Sequence, residues 1–301
     1  MNKKLLLVIN PVSGTIQDKT ETVSQIKDKL NKQHYELEVW ETTGEGDQEK
    51  IKNIVQSYDF DAVLIGGGDG TIKMVVEAVL DADHAVGIIP LGSANGLATS
   101  LEINNLDEAI EAVVNKREVK MDAIMINGEL SLHLSDFGFN AGLIERFEQN
   151  EERGMLAYFK SSLSQLFEAQ PYRFEVAVDG KVEQVKAKML VIANGSKYGT
   201  GALINPTGKI NDGRFEIIAL DPQGIEDLVK VSLSLFRGNL NEMESVKIWQ
   251  VSKAEIKNLD LAEFQIDGEV MGKVEKVTVE VLAKPIRFYT GKNYGVSQVD
   301  R

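Results

Sequence analysis

The sequence predicts a two-domain protein, with a doubly wound α/β domain at the N-terminus and a β-rich antiparallel sandwich at the C-terminus. Its 301 residues are twice the length of a typical domain of about 150 residues. The first part alternates short apolar runs with segments of helical periodicity, which indicates a parallel sheet with helices on both faces. After residue 120, short alternating segments joined by Asp-Gly and Asn-Asp-Gly turns replace that pattern, and these are typical of antiparallel sheets.

The N-terminal elements follow from the spacing of apolar residues. Apolar runs and one alternating segment predict strands at 4–9, 35–40, 61–65 and 85–89. Apolar residues near helical spacing predict helices at 18–33, 47–57 and 72–80.

The C-terminal part is predicted mainly as strands, at 130–137, 172–178, 187–193, 214–220, 246–251, 254–259, 263–266 and 276–282. Helical stretches near 153–169 and 224–236 interrupt them. We therefore predict one domain over 1–122 and a second over 123–284. The segment 285–301 carries a last apolar strand, 286–289, and is expected to return to the first domain.

Composition excludes several classes of protein. The chain has no Cys, so disulfide frameworks, zinc ribbons, iron–sulfur clusters and thiol nucleophiles are excluded. The net charge of −13 argues against non-specific nucleic-acid binding and against purely electrostatic docking on an anionic membrane. The apolar run Leu5–Ile9 is too short for a signal peptide, and no stretch approaches the length of a spanning helix. We expect a cytoplasmic protein, at most peripheral to a membrane.

The strongest local motif is the glycine-rich turn Gly66-Gly67-Gly68-Asp69-Gly70-Thr71, between a predicted strand and a predicted helix. Ligands of open α/β sheets bind at the carboxyl ends of strands. Consecutive glycines let the backbone approach a polyphosphate, and a carboxylate beside that phosphate suits Mg²⁺. The alternative is a turn in which Asp69 and Thr71 cap a helix. Three successive glycines exceed what a cap needs, so we favour a binding role.

Other polar loops follow neighbouring strands at the same edge of the predicted sheet. The first is Asn10–Gly14 and the next is Pro90–Ala98, while Thr42–Asp47 is a further candidate. Each by itself also fits a plain helix-entry turn. Glycine-containing loops that converge on one edge are harder to explain as separate turns, so together they favour a ligand site.

Near the C-terminus, Asp267-Gly268-Glu269 places two carboxylates in one turn. From spacing alone, a structural hairpin is the favoured interpretation, because Asp-Gly is common there. No Walker A loop, HExxH or GxSxG motif occurs. The isolated His34, His84 and His133 are interpreted as surface or structural residues.

Taken together, these segments resemble the diacylglycerol kinase and sphingosine kinase superfamily of lipid kinases, in its soluble bacterial branch. The resemblance runs nearly end to end and rests on Asn10–Gly14, Gly67–Thr71, Pro90–Ala98, Asn211–Gly213 and Asp267–Glu269, in that order. The fold is shared more distantly with NAD kinases, which also carry the GGDGT segment. The PLGSANGLA loop and the late Asp-Gly-Glu favour the lipid kinases.

The resemblance implies an NAD-kinase-like first domain, ATP in a cleft between the domains, and phosphoryl transfer to a lipid hydroxyl, with diacylglycerol or a related lipid as the acceptor. It implies a catalytic role for Asp69, with Glu269 as the general base and Asp267 in the metal and acid network beside it. It also implies a structural Mg²⁺ site at Lys209, Asp212 and Arg214, where backbone carbonyls must serve for the two cationic residues. The implied nucleotide site is lined by Asn10, Ser13, Gly14, Thr42, Gly67, Gly68, Asp69, Gly70, Thr71, Ser93 and Asn95.

Two departures from the family pattern stand out. Diacylglycerol kinases usually carry Asn-Asp in the third loop, where this chain has Asn95-Gly96, and Lys73-Met74 stand where Asn-Glu is common. Lys73 is expected either to offset phosphate charge or to face solvent. The alternatives to a lipid kinase are an NAD kinase and a non-catalytic nucleotide- or lipid-binding regulator.

The expected partners are a lipid at a membrane surface and a second copy in a homodimer, with no nucleic acid. The amphipathic stretch 154–167, which includes Tyr158 and Phe159, is a candidate membrane contact. An ordinary helix buried in the second domain is the favoured interpretation of that stretch.

Overall fold

A computed structural model describes residues 3–14, 19–92, 95–138, 170–194, 197–198, 202–203, 205, 208–224, 226–227, 230–231, 234 and 239–295. The chain divides into two compact units. Unit 1 comprises Met1–Met121 and Pro285–Arg301, and unit 2 comprises Asp122–Lys284.

Unit 1 is built on a six-stranded sheet. Its strands are β1 (Lys3–Ile9), β2 (Tyr35–Glu41), β3 (Ala62–Gly67), β4 (Ala85–Pro90), β5 (Glu118–Met121) and β20 (Ile286–Tyr289), in the order β2-β1-β3-β4-β20-β5. Every neighbouring pair is parallel except β20 and β5, which run antiparallel. The apolar strand 286–289 therefore joins the first sheet, as predicted.

The helices of unit 1 are α1 (Thr20–Asn31), α2 (Asp47–Ser57), α3 (Asp69–Val79), α4 (Gly96–Ser100) and α5 (Leu106–Val114). Helix α1 packs beside α5, and α2 packs beside α3. The apolar residues of β1 from Leu5 to Ile9 are all fully buried, because a parallel sheet carries helices on its faces. The predicted doubly wound α/β fold is confirmed, and the sequence interpretation missed α4, α5 and β5.

Unit 2 consists mainly of two antiparallel six-stranded sheets. The first contains β6 (Ile124–Ile126), β7 (Glu129–Ser131), β9 (Tyr172–Val178), β10 (Lys181–Ala187), β16 (Lys253–Asn258) and β19 (Lys276–Val281), in the order β10-β9-β16-β19-β6-β7. The second contains β8 (Leu134–Phe137), β11 (Met189–Ala193), β14 (Phe215–Leu220), β15 (Val246–Val251), β17 (Glu263–Ile266) and β18 (Glu269–Lys273), in the order β15-β14-β11-β8-β17-β18. The short strands β12 (Lys197–Tyr198) and β13 (Ala202–Leu203) pair with each other.

Aromatic side chains from both sheets meet in the core of unit 2. The ring of Phe137 stacks on Phe264 at 4.3 Å between centroids and lies 5.5 Å from Phe174. Phe174 belongs to the first sheet and the other two to the second, so the two inner faces share one core. The predicted antiparallel sandwich is confirmed.

Some strand predictions need correction. The predicted strand 130–137 is two strands, β7 and β8, which lie in different sheets. Strands β10 and β18 were not predicted, because both are largely exposed and carry few apolar residues in alternation. The predicted helix 153–169 lies outside the described residues, and 224–236 lies only partly within them.

Candidate active site

The first loop starts where β1 ends, and Asn10 shapes it. The N–H of Asn10 donates to the Gly66 carbonyl at 2.9 Å, and its side-chain amide donates to the Thr71 hydroxyl at 3.2 Å. Its Oδ1 accepts the Val12 N–H at 3.0 Å, while the Ser13 hydroxyl donates to the Asn10 carbonyl at 3.0 Å. Asn10 therefore ties the first loop to the glycine-rich turn.

The glycine-rich turn leads from β3 into α3. A Cβ on Gly67 would lie 2.7 Å from the Cβ of Thr71, so only glycine fits there. A Cβ on Gly70 would meet no described heavy atom within 4 Å, although glycine costs a helix about 1 kcal/mol relative to alanine. Packing does not require Gly70 to lack a side chain. Open space at the first turn of a helix fits the close approach of a phosphate group.

Asp69 links this turn to the loop after β4. Its carboxylate accepts the N–H of Gly96 at 2.9 Å and that of Leu97 at 3.1 Å. These residues begin α4, so Asp69 caps α4 rather than its own helix α3. The side chain of Asp69 stays partly exposed, which leaves room for a further contact.

The loop after β4 also contacts the two preceding loops. A Cβ on Gly92 would lie 2.4 Å from the Cα of Gly68, and one on Gly14 would lie 2.2 Å from the Leu91 carbonyl oxygen. Gly14 has a φ of +65°, a conformation that favours glycine. The Asn95 side chain accepts the Gly92 N–H at 2.8 Å and donates to the Gly92 carbonyl at 2.7 Å. Three loops therefore lie together at the carboxyl ends of their strands, as their positions in the sequence predict.

The fourth candidate loop follows β2. The N–H of Thr42 donates to the Ile9 carbonyl at 2.9 Å, which places Thr42 beside the end of β1. The buried carboxylate of Asp47 accepts the N–H and the hydroxyl of Thr43, and the N–H of Gly44 at 2.7 Å. This loop is organised around its own aspartate.

Lys73 and Ser93 are two further positions of unit 1 for which the sequence made predictions. Lys73 is buried on α3 with 7% of its surface exposed, so the alternative that it faces solvent is wrong. Helix α3 is buried along most of its length, which its sequence of mixed polarity did not reveal. Ser93 lies outside the described residues.

In unit 2, Asp267 and Gly268 form the two-residue turn between β17 and β18. Their φ values are +49° and +92°, and two positive values indicate the tight type I′ hairpin turn. The Gln265 side-chain oxygen accepts the Gly268 N–H at 2.6 Å, and its amide donates to the buried carboxylate of Asp136. Sequence reasoning missed Gln265 and Asp136, because nothing local marks them as a pair.

The Asp267 carboxylate accepts four hydrogen bonds. Three come from the N–H groups of Leu132 (2.8 Å), His133 (3.0 Å) and Leu134 (3.0 Å), and the fourth from the Ser131 hydroxyl (3.1 Å). Burial raises the pKa of Asp267, while the Leu132 and His133 N–H groups act in the opposite direction. These bonds hold the segment between β7 and β8 against the hairpin.

Glu269 follows this braced turn as the first residue of β18, and it is exposed. Strand β18 lies at the edge of its sheet. The next two side chains, Val270 and Met271, are 53% and 40% exposed. An exposed carboxylate therefore stands beside two exposed apolar groups on a fixed support.

The predicted metal site falls on the loop before β14. Lys209, Asp212 and Arg214 are all exposed, and an Asp212 carboxylate oxygen accepts the Arg214 N–H at 3.1 Å. Within the part of the chain that the structure describes, no three acidic or histidine side chains are grouped to hold a metal ion. The Mg²⁺ site at these residues stays a prediction.

Two further acids lie close to that loop and were missed. Asp122 accepts the Gly213 N–H at 2.6 Å, and Glu216 accepts the Gln250 amide at 2.9 Å. Burial raises the pKa of both carboxyls, and the charge of Asp212 raises both further. Glu216 lies within the apolar strand β14. A lone acidic residue in such a strand is the feature of the sequence that could have marked Glu216 as a candidate.

Unit 1 is a parallel α/β unit whose glycine-containing loops gather at the strand ends. Unit 2 is a β-sandwich with an acidic turn. This combination is typical of a class of two-domain kinases. Residues 4–126 match the model of the diacylglycerol kinase catalytic domain. Residues 136–289 match the YegS C-terminal NAD kinase beta sandwich-like domain. The chain belongs to this family of diacylglycerol kinase and YegS-type lipid kinases, which are phosphotransferases with an alcohol acceptor.

Curated relatives match over nearly their whole length. The chain is 25% identical over 276 residues to the diacylglycerol kinase of Bacillus subtilis, covering 90% of this chain and 91% of the relative. It is 26% identical over 290 residues to the "probable lipid kinase YegS" of Salmonella arizonae, covering 94% of each.

Solved structures share the fold. A diacylglycerol kinase from Bacillus anthracis superposes with a TM-score of 0.74 at 18% identity, over 97% of this chain and 98% of that one. An NAD kinase from Archaeoglobus fulgidus in complex with ATP superposes with a TM-score of 0.55 at 17% identity, over 96% and 95% of the two chains. The resemblance to NAD kinases stated from the sequence is thus borne out for the fold.

Proposed function

We propose that this lipid kinase transfers the γ-phosphate of ATP, with Mg²⁺, to a hydroxyl group of diacylglycerol or a related lipid. The observation that carries the proposal is the gathering of three glycine-containing loops around Asp69 in unit 1. The family indicates the reaction class, and the gathered loops support a nucleotide site beside Asp69.

The nucleotide phosphates would lie against the first loop and the glycine-rich turn. Gly70 leaves open space at the N-terminus of α3, where backbone N–H groups and the helix dipole favour an anion. Asn10, Ser13 and Thr71 hold the two loops in register through their own hydrogen bonds. Phosphoryl transfer asks a protein chiefly for such positioning and charge neutralisation.

Asp69 is the proposed residue on the metal side. Its partly exposed carboxylate already accepts two N–H groups of α4, which fixes its orientation and leaves lone pairs for a hard cation. Mg²⁺ would neutralise phosphate charge there. Because Asp69 binds α4, its orientation depends on the loop that carries Asn95 and Gly96.

Glu269 is the proposed general base and would accept the proton of the attacking lipid hydroxyl. Its support is rigid, because the turn before it is held by the four bonds to Asp267 and by Gln265. We propose that Asp267 supports catalysis by holding this turn, since four donors already occupy its carboxylate.

We propose that the acceptor lipid is met at a membrane surface. None of the helices within the described ranges is both long and apolar enough to cross a bilayer. The exposed Val270 and Met271 beside Glu269 support an apolar contact. The stretch 154–167, the candidate contact predicted from sequence, lies outside the described residues. The homodimer stays a prediction.

The test is a phosphoryl-transfer assay with radiolabelled ATP, Mg²⁺ and a panel of diacylglycerol, sphingoid bases, undecaprenol and NAD. We expect label in a lipid product, with diacylglycerol or a related lipid preferred. Label in NADP would favour the NAD kinase alternative. ATP binding without any labelled product would favour a non-catalytic regulator and contradict the proposal.

A further inference from the structure

Lys19 is a buried cation directly behind the first loop. It precedes α1 as its N-terminal flanking residue, and only 5% of its surface is exposed. Its ammonium group donates to the Ser13 carbonyl at 2.6 Å. A lysine is almost never fully buried unless it is paired, so this position calls for an explanation.

No carboxylate of the described residues offsets this charge. Among the described residues, the Lys19 side chain bonds to the Ser13 carbonyl, and a carbonyl carries no full charge. Burial lowers the pKa of Lys19. The N-terminal end of α1 is also the positive end of the helix dipole, which disfavours a cation.

The position of Ser13 links Lys19 to the proposed nucleotide site. Ser13 bonds to Asn10, and Asn10 bonds to Thr71 of the glycine-rich turn. Gly14, the next residue, packs against the Leu91 carbonyl. The ammonium group therefore lies at the loop that connects all three parts of the rim, where an anion would supply the missing negative charge.

We propose that Lys19 is a positioning residue for the polyphosphate of the nucleotide, holding the first loop through Ser13 and supplying the buried positive charge that bound phosphates offset. The inference rests on the proposed function, because it takes the three-loop rim as the phosphate site. It assigns to Lys19 a role that neither the glycine-rich motifs nor their spacing indicated.

The test compares Lys19→Met and Lys19→Arg with Lys27→Met, a matched control at an exposed position of the same helix. Affinities of the full-length protein for ATP, ADP, AMP and adenosine are measured by calorimetry with Mg²⁺. Lys19→Met should weaken ATP about 10- to 100-fold, as expected for a lost charge-assisted interaction. The loss should shrink with each phosphate removed and be absent for adenosine. Lys19→Arg should retain most of the affinity, and Lys27→Met all of it.

If Lys19 only held the first loop in place and did not interact with phosphate, its loss would have a different effect. Trp40 lies in β2 of unit 1 and Trp249 in β15 of unit 2, so a Trp249→Phe background leaves Trp40 to report on unit 1. Without nucleotide, we expect Lys19→Met to unfold at the same or higher denaturant concentration, because it removes a buried charge that no described carboxylate offsets. Destabilisation, or equal losses for ATP and adenosine, would overturn the role of Lys19. Failure of the unmodified protein to bind ATP would instead overturn the proposed function.

Discussion

The glycine-rich turn of unit 1 and the hairpin turn of unit 2 each place an aspartate against the backbone of another segment. Asp69 accepts two N–H groups at the start of α4 and remains partly exposed. Asp267 accepts three N–H groups and a hydroxyl, and burial raises its pKa. The Asp69 carboxylate has room for a further contact, whereas the Asp267 carboxylate is already occupied by four donors of the protein.

The comparison teaches that an aspartate in a short glycine-containing turn can contact a ligand directly or can hold a neighbouring residue in place. In unit 2 the exposed carboxylate is that of Glu269, two residues after Asp267. In unit 1 a single residue, Asp69, caps a helix and is also proposed to face the ligand. Variants at Glu269, Asp267 and Asp69 separate these two kinds of role.

The largest effect is expected at Glu269. Glu269→Gln should lower kcat about 10²- to 10⁴-fold, the usual contribution of a general base. Glu263→Gln is the control, because it makes the same charge change at an exposed position of the same hairpin. Steady-state kinetics with the preferred lipid provide the measurement. Near-normal turnover in Glu269→Gln would remove that residue from the proposed role.

The next effect is expected at Asp267. Asp267→Ala leaves buried donors without an acceptor and should destabilise unit 2 by about 3 kcal/mol. Denaturant unfolding followed by Trp249 in a Trp40→Phe background measures it.

Asp179→Ala is the matched control for Asp267→Ala. Asp179 and Gly180 form an exposed turn between β9 and β10 with φ values of +49° and +75°. Both variants therefore pay the same backbone strain, and only Asp267→Ala loses the four bonds. Equal destabilisation of the two variants would show that the bonds to Asp267 contribute little.

A smaller effect on stability is expected at Asp69. Asp69→Ala removes the cap of α4 and should destabilise unit 1 by about 1–2 kcal/mol, as read from Trp40 in the Trp249→Phe background. If Asp69 also faces the ligand, Mg²⁺-dependent ATP affinity should fall further than this destabilisation explains. A variant that loses stability but keeps ATP affinity would confine Asp69 to the structural role.

The smallest effect concerns Asp47. Its carboxylate, like that of Asp267, accepts several N–H groups, but the pKa of Asp47 is lowered, whereas that of Asp267 is raised. Burial pushes the pKa of Asp47 up, yet the N–H groups of Thr43 and Gly44 and the Lys50 ammonium hold it below its usual value. Its contribution to stability is therefore present above the unfolded pKa and is lost as pH falls through the folded pKa.

The measurement for Asp47 is the difference in unfolding free energy between the unmodified protein and Asp47→Asn. We expect this difference to shrink from about pH 6 to about pH 3. A difference that stays constant over this range would mean that the charge of Asp47 contributes nothing to unit 1.

Much of the candidate site followed from local sequence. Strand ends bring parallel loops to one edge, so the meeting of Asn10, Asp69 and Asn95 could be expected from the order of strands and loops. The I′ turn at Asp267-Gly268 also follows from local chemistry, because these residue types tolerate positive φ.

The rest depends on contacts between distant segments. The donors of Asp267 lie at residues 131–134, more than 130 positions earlier in the chain. Nothing in the Asp-Gly-Glu motif signals them. The burial of Lys73 likewise could not be predicted from the sequence, because the residues that cover a helix face come from elsewhere in the chain.

By itself the sequence determined the fold class, the family and the segments that carry the chemistry, because apolar periodicity and glycine-rich turns are local properties of the chain. Only the tertiary structure decided which carboxylates are occupied and which are accessible, and that Lys19 is buried with no offsetting carboxylate among the described residues. Burial and hydrogen bonding depend on groups that come together from distant parts of the chain. Burial and hydrogen bonding in turn determine the protonation and the accessibility of each side chain.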